Sequence, residues 1–472
     1  MTAAAIRLPE RAIVPAACGA AAVFGAMIAV KPGLALGLLS ICGIVAFAFL
    51  RPVAHLTLIL AVTAIVPYAI QNRYGLAGGS GLVLSDALIL VALLRALMIL
   101  VRQPLEPRRT AAMAAVGAML GIAAVQAVRG WQYGADVGQV GYEFRVLLGW
   151  ATVAIAVPLL ADRAARERLL KGMLGVGIAV GIYGLLQYFE LMTFFVEGQS
   201  GLREGVRFTS EGKGQIQGGL FAFPVGVLVG FAALTSGAVR SRIGQIALLA
   251  LVGLNAIGLL LTYERTFWLA TFLGLGFIAV RAGLAQRLRV VVLVLGLVLV
   301  LAPVMSTIAP GALSAASERL LSLNQYGNDD SVRYRLQEGR HVIDKIQVHP
   351  LVGWGLADEV FYGLPWLQTP PTAETFAHNG YLWLSWKIGI PGAMLLFATI
   401  AWAIAARPPP RIDPLYRAVR LGAQASLLLM AVISITFPSF SALNITAVSG
   451  VLLAMCLGMP GPRGGRAATT AR

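Results

Sequence analysis

The sequence predicts an all-α polytopic membrane protein with about 14 (12–14) transmembrane helices and one large hydrated loop that carries short amphipathic helices. Three observations carry that prediction. The 472 residues are 58% hydrophobic and only 12% charged, too apolar for a soluble domain of this length. Apolar blocks of about 17–22 residues recur, the length that spans a bilayer as a helix. One long polar segment, 309–380, interrupts the pattern and holds His341, His349 and His378, three of the four histidines, beside Arg333, Arg335 and Arg340.

The crossings are expected at roughly 13–30, 34–50, 54–70, 82–101, 111–128, 146–161, 173–192, 217–238, 245–262, 267–280, 290–308, 381–405, 421–437 and 445–459. Very short turns, such as Lys31-Pro32, join neighbouring blocks into helical hairpins. The first block reads as a retained helix rather than a cleaved signal, because a second crossing follows at Gly33. Alternate connections collect 22 of the 37 Lys and Arg residues but only five of the 21 acids. That asymmetry is the positive-inside signal, so the basic side is the cytoplasm and 309–380 lies outside. It accounts for the +16 net charge without a nucleic-acid partner. The chain therefore reads as one integral membrane domain over 1–472 with a disordered cytoplasmic tail at 460–472.

Few charges fall within crossings. Asp86 and Arg95 share one, nine residues and about 13.5 Å apart, so they do not pair directly. Asp86 is expected near the outer interface, and Arg95 to snorkel or pair with a neighbouring helix. Lys387 is placed to reach the surface from the first turns of its helix, and Asp344 and Lys345 read as solvated. Cys18, Cys42 and Cys456 lie in apolar blocks without metal-ligand spacing and read as small buried hydrophobes. The pairs Asp329-Asp330 and Asp358-Glu359 read as hydrated loop acids rather than a metal site. No Ser-His-Asp pattern or cysteine nucleophile is present, and His341 and His349 are too far apart for a paired-ligand motif.

What remains is one base and several arginines, without metal or cofactor. Arg265 sits in a very short turn between two helices, which holds it at the membrane interface. It reads either as an anchor paired with Glu264 or as a fork for phosphate oxyanions. The outward segments also offer Arg145 and, in the loop 193–216, Arg207. Ser331 to Ile346 reads as an amphipathic helix with Leu336, His341, Val342, Ile343 and Ile346 on its apolar side, ending at His349-Pro350. Trp354, Tyr381 and neighbouring aromatics form either an interfacial belt or a wall for sugar rings. His378 stands where the polar segment meets a membrane helix, and an ordinary imidazole accepts a proton near neutral pH.

These residues carry a resemblance. His378-Asn379, nine residues, then Gly389-Ile-Pro-Gly392 resembles a signature of the O-antigen ligase and O-antigen polymerase superfamily of bacterial envelope glycan enzymes. Leu261-Thr-Tyr-Glu-Arg265 is similar to the family's first functional arginine, although Tyr263 and Glu264 replace smaller residues. Ser331-x-x-x-Arg335 with His349-Pro-Leu-x-Gly-x-Gly355 is similar to its second, with Arg333 competing for the role. The resemblance covers roughly 245–395. It implies an inverting glycosyltransferase of the bacterial inner membrane, a ligase or polymerase. The donor would be a glycan on undecaprenyl pyrophosphate at the periplasmic leaflet, and the acceptor a glycan or lipid A-core hydroxyl. His378, Arg265 and Arg335 would be catalytic. Arg333, Arg207, Arg145, Asn379, Trp354 and Tyr381 would contact substrate. The competing reading is a polytopic transporter or flippase of lipid-linked glycans.

Overall fold

The structure is a computed structural model, and it describes residues 43–66, 83–102, 107–189, 191, 220–308, 317, 330–364, 369–407 and 413–458. The N-terminal unit, 1–52, contributes one described helix, α1 (Gly43–Leu50). The main unit begins with α2 (Pro52–Ile65), α3 (Leu84–Arg102) and α4 (Pro107–Gln132). Helix α5 (Val137–Leu148) continues through a 3-10 turn into α6 (Thr152–Ala161). Then come α7 (Arg163–Tyr188), α8 (Ala222–Ser236), α9 (Arg242–Leu261), α10 (Arg265–Arg281) and α11 (Leu284–Ile308). The polar segment contains α12 (Asp330–Val348) and the strands β1 (Val360–Leu364) and β2 (Thr369–Glu374). Helices α13 (Gly380–Ala405), α14 (Pro414–Ile433) and α15 (Leu443–Leu457) complete the bundle.

The expected crossing at 13–30 lies outside the described residues, as does 34–50 apart from α1. The other twelve expected crossings coincide with helical stretches. Eight of the described stretches, or up to nine, are long and apolar enough to span a membrane. Helices α2, α8, α10 and α15 fall short, with 14, 15, 17 and 15 residues. Two features of the polar segment differ from the all-helical expectation. Its described helix is long, at 19 residues, and an antiparallel hairpin pairs Val360 with Glu374 and Tyr362 with Thr372. Thr, Val, Phe and Tyr supply the strand propensity, and with only two strands the hairpin relies on packing against α12.

Helix α14 is central and packs on α8, α10 and α15. In a bilayer a helix satisfies its own backbone, so the remaining polar groups must find internal partners. Here they do. Thr446 Oγ1 donates to the Val146 carbonyl at 2.7 Å and Thr152 Oγ1 to the Ala447 carbonyl at 2.8 Å, which ties α15 to α5 and α6. Such interhelical bonds stabilise by about 0.6–2 kcal/mol each.

The turn after α12 plugs a break in α13. At Gly389 the backbone leaves the helix (φ 78°, ψ 159°), a conformation only glycine adopts without strain. Pro391 follows and has no N–H to give. The freed carbonyls of Trp386 and Lys387 accept the N–H groups of Trp354 (2.9 Å) and Gly355 (3.2 Å), and Ile390 N–H donates to the Pro350 carbonyl (2.8 Å). Leu356 N–H reaches the Gln126 carbonyl on α4 at 3.1 Å. A Cβ on Gly389 would collide with the Leu351 carbonyl, and one on Gly353 would stand 2.5 Å from the Gly389 nitrogen. Gly353 and Gly355 of the plug and Gly389 of α13 thus belong to one backbone-to-backbone joint.

Charges lock the same joint. Lys387 is fully buried rather than at the surface, with Nζ 3.0 Å from Glu143 Oε1 of α5. Nζ also donates to the Asp358 carbonyl at 2.6 Å. Asp358 is not a merely hydrated acid, since Oδ2 accepts from Trp386 Nε1 (2.7 Å) and pairs with Lys345 (2.9 Å). Glu143 Oε2 accepts the Ala357 N–H at 2.7 Å. Burial explains the departure from expectation: an ionised group taken from water needs a partner charge, and each of these has one. Asp86, in the first turn of α3, pairs with Arg145 at 2.7 Å, both nearly inaccessible.

Candidate active site at the start of α13

His378 immediately precedes the α13 N-cap. Asn379 supplies that cap, its Oδ1 accepting the Leu382 N–H at 3.0 Å. The imidazole is 19% exposed, at the edge of the polar segment rather than inside the bundle. Its neighbours come from three elements. Tyr334 of α12 meets it edge to face with ring centroids 5.5 Å apart, and Phe376 lies 5.3 Å away. Glu338, one turn beyond Tyr334 and 1% exposed, takes both the main chain and the ring of His378. Oε2 accepts the His378 N–H at 2.7 Å, and Nδ1 lies 3.1 and 3.2 Å from Oε1 and Oε2. From β1, the Tyr362 hydroxyl donates to Glu338 Oε1 at 3.1 Å and also meets the Tyr334 hydroxyl.

Burial pushes both tyrosine hydroxyls above their ordinary range. The negative charge of Glu338 adds to this at Tyr362. Both therefore stay protonated near neutral pH, and Tyr362 remains a donor. Burial also raises the Glu374 carboxyl on β2, and repulsion from Glu338 raises it further. The site is thus an imidazole with one carboxylate beneath it, a second carboxylate disfavoured nearby, and aromatic faces on two sides.

The candidate arginines lie at chain positions next to these anchors. Arg335 follows Tyr334 and precedes Glu338 by three residues on α12, and it is partly buried, whereas Arg333 is exposed. Arg265 is the first residue of α10 and is also partly buried. Its neighbour Thr266 bonds Thr436 at 3.1 Å, and Phe267 packs edge to face on Phe437. Two residues past His378, Gly380 N–H donates to the Ser434 carbonyl at 2.8 Å. The chain positions of Arg265 and His378 are therefore tethered to the same end of α14, at residues two apart. The backbone at Tyr263, with φ 53°, makes the sharp α9–α10 turn that sets this position.

The remaining expected contacts fall elsewhere or already have partners. Arg145 is 6% exposed in its pair with Asp86, inside the helical framework. Trp354 Nε1 donates to the Lys345 carbonyl at 2.7 Å, with the Lys345 ammonium over its ring. Tyr381 donates to the Ala431 carbonyl at 2.7 Å. Arg207 lies outside the described residues. His349 packs against Trp354 at the plug, and His341 stacks on Tyr362. His55 is buried against the Leu88 carbonyl. Among the described residues, no three His, Cys, Asp or Glu side chains gather into a group that could hold a metal ion.

Glu338 escaped the sequence reading. Its signal was an acid on the wrong face of an amphipathic helix. It shares a stripe with Tyr334, Val342 and Lys345, at helical spacing, and Val342 is fully buried. Leu336 and Ile343, expected on the apolar side with Val342, are exposed instead.

Residues 246–397 match the family model described as O-Antigen ligase. No curated protein sequence matches the chain. The matched third of the chain runs from α9 into α13 and holds Arg265, Arg335, Glu338, His378 and the glycine joint. Over that stretch the chain is similar to the O-antigen ligase family.

Proposed function

We propose that this membrane protein is an inverting, metal-independent glycosyltransferase. It would move a glycan from undecaprenyl pyrophosphate to an acceptor hydroxyl on the periplasmic side of the bacterial inner membrane. One observation carries the reading. The stretches around Arg265 and His378 are both tied to one end of α14, and His378 is bonded to Glu338 on α12, the helix that carries Arg335.

The chemistry follows from those groups. The acceptor O–H gives its proton to His378, and its oxygen forms the new bond to the anomeric carbon. The bond from that carbon to the phosphate oxygen breaks, and the pyrophosphate leaves with the electron pair. Attack opposite the leaving group inverts the anomeric centre. The guanidinium groups of Arg265 and Arg335 stabilise the charge that develops on the diphosphate, as bidentate donors to its oxygens. Compensation by two fixed cations makes a metal unnecessary in this scheme. Arg335, partly buried and within one turn of Glu338, fits the second arginine role better than exposed Arg333. Inside the helices Asp86 pairs with Arg145 and Glu143 with Lys387, which argues against the transporter reading.

Two variants test this in a deletion strain complemented with the full chain. His378→Ala is expected to cut glycan transfer by about 10²–10⁴-fold with normal protein level in the membrane. Full transfer with normal insertion would overturn the reading. Arg265→Lys keeps the charge but loses the planar fork, and a loss of about tenfold or more is expected. The glycan profile of the strain then divides the reading: short chains mark a polymerase, and unattached chains of normal length mark a ligase.

A further inference from the structure

We propose that Glu338 is a positioning residue for His378. It holds the imidazole with Nδ1 protonated, so that Nε2 is the nitrogen that takes the acceptor proton. The inference rests on the transferase reading for its purpose, but its geometry stands apart from it.

The hydrogen-bond directions fix the assignment. A main-chain N–H can only donate, so Glu338 Oε2 is an acceptor at His378 N, 2.7 Å away. The same carboxylate also accepts from the Tyr362 hydroxyl at 3.1 Å. A carboxylate that accepts throughout requires a proton on Nδ1, which lies 3.1 Å from Oε1. In the neutral ring, Nε2 then carries the lone pair. Nε2 has no hydrogen-bond partner among the described residues, and the side chain keeps 19% of its surface exposed. When Nε2 takes a proton, the imidazolium forms beside a carboxylate that is almost fully buried. The ion pair is strengthened there by the low polarity around it. Glu338 does not receive that proton. It orients the ring and stabilises the charged form, the role of the third member in a nucleophile-base-carboxylate triad. By gripping both the main chain and the ring of one residue, it leaves the imidazole little freedom to turn.

The titratable groups around the imidazole are Glu338 and Tyr334 of α12, Tyr362 of β1 and Glu374 of β2. Both tyrosines stay neutral near pH 7, and Glu338 is the carboxylate in hydrogen-bond contact with the ring.

The direct test uses the full chain in lipid nanodiscs with ¹⁵N-labelled histidine, in a pH series that isolates the neutral form of the ring. The His378 resonances, identified by their loss in His378→Ala, are expected to show Nδ1 protonated and Nε2 bare. In Glu338→Ala they are expected to shift toward the common form with the proton on Nε2, with the buried His55 signals unchanged as the control for folding. A wild-type ring with its proton on Nε2, or a ring unaffected by Glu338→Ala, would overturn the proposal.

The second arm is kinetic. Glu338→Gln keeps an acceptor for both N–H groups but loses the charge. It is expected to lower kcat by about 10²–10³-fold, below the ~10⁴ loss known for the comparable change in a serine-protease triad, with KM changed less than about threefold. The acid limb of its pH profile should move to lower pH, because the imidazolium loses its counter-charge. Glu338→Asp should recover part of the rate. A merely structural role would lower the amount of active protein and leave the pH profile in place, which also overturns the proposal. If His378→Ala is fully active, the transferase reading fails while the tautomer result still decides the geometry. If His378→Ala is dead but Glu338→Gln matches wild type, only the positioning role fails.

Discussion

Two buried carboxylates, Glu143 and Glu338, have nearly the same exposure, 2% and 1%, and opposite surroundings. Glu143 faces Lys387, an amine with no access to water, and caps the backbone of the plug at Ala357. Neither group reaches solvent, so the cluster can only hold. Glu338 faces an imidazole whose side chain is 19% exposed. Burial alone therefore does not mark a working acid. The partner does, through its chemistry and whether solvent or substrate can reach it.

That contrast can be broken from the holding side first. Lys387→Met leaves Glu143 as a buried charge without its cation, and a loss of about 3–5 kcal/mol in stability is expected. It should appear as a fall in membrane-inserted protein and in the unfolding midpoint. Adding Glu143→Gln should recover most of that loss, since neither charge is then left alone. No recovery in the double variant would mean that the pair does not act as a lock.

Gly389→Ala tests the joint that this lock secures. It forces a side chain into a glycine-only conformation and against the Leu351 carbonyl. The strain is about 1–3 kcal/mol, and displacement of the plug adds to it. Thermal unfolding in detergent measures the outcome, and an unchanged midpoint would show that the break in α13 is not needed.

The smallest expected effect belongs to the site itself. Burial and repulsion from Glu338 raise the Glu374 carboxyl, so its ionised form opposes the fold. Any stability this group contributes is present below its unfolded pKa and is lost as pH rises through the higher folded value. Glu374→Gln should therefore be neutral or slightly stabilising at pH 7, within about 0.5 kcal/mol, because the group is largely solvent-screened. A clear destabilisation would mean that Glu374 has a cationic partner instead.

Much of the fold was legible because a bilayer imposes a simple rule. Apolar blocks of sufficient length become helices, and twelve expected crossings coincide with helical stretches for that reason. The end of α12 at His349-Pro350 was legible from proline chemistry alone. The candidate base and the candidate arginines were named from a family resemblance, with Arg333 and Arg335 competing for the second role. The β-hairpin was not, since two short strands carry too little pattern to stand out.

The sequence by itself determined that this chain is a helical membrane protein with one polar segment, and it singled out the imidazole and guanidinium groups worth naming. Periodicity and residue type are local properties, and the membrane leaves few alternatives. Only the tertiary structure decided which charges meet. It put Lys387 inside against Glu143, spent Arg145 on Asp86, and set Glu338 under His378, 40 positions away in the chain. Pairing across such distances depends on how helices pack, and no short-range pattern of residues encodes it.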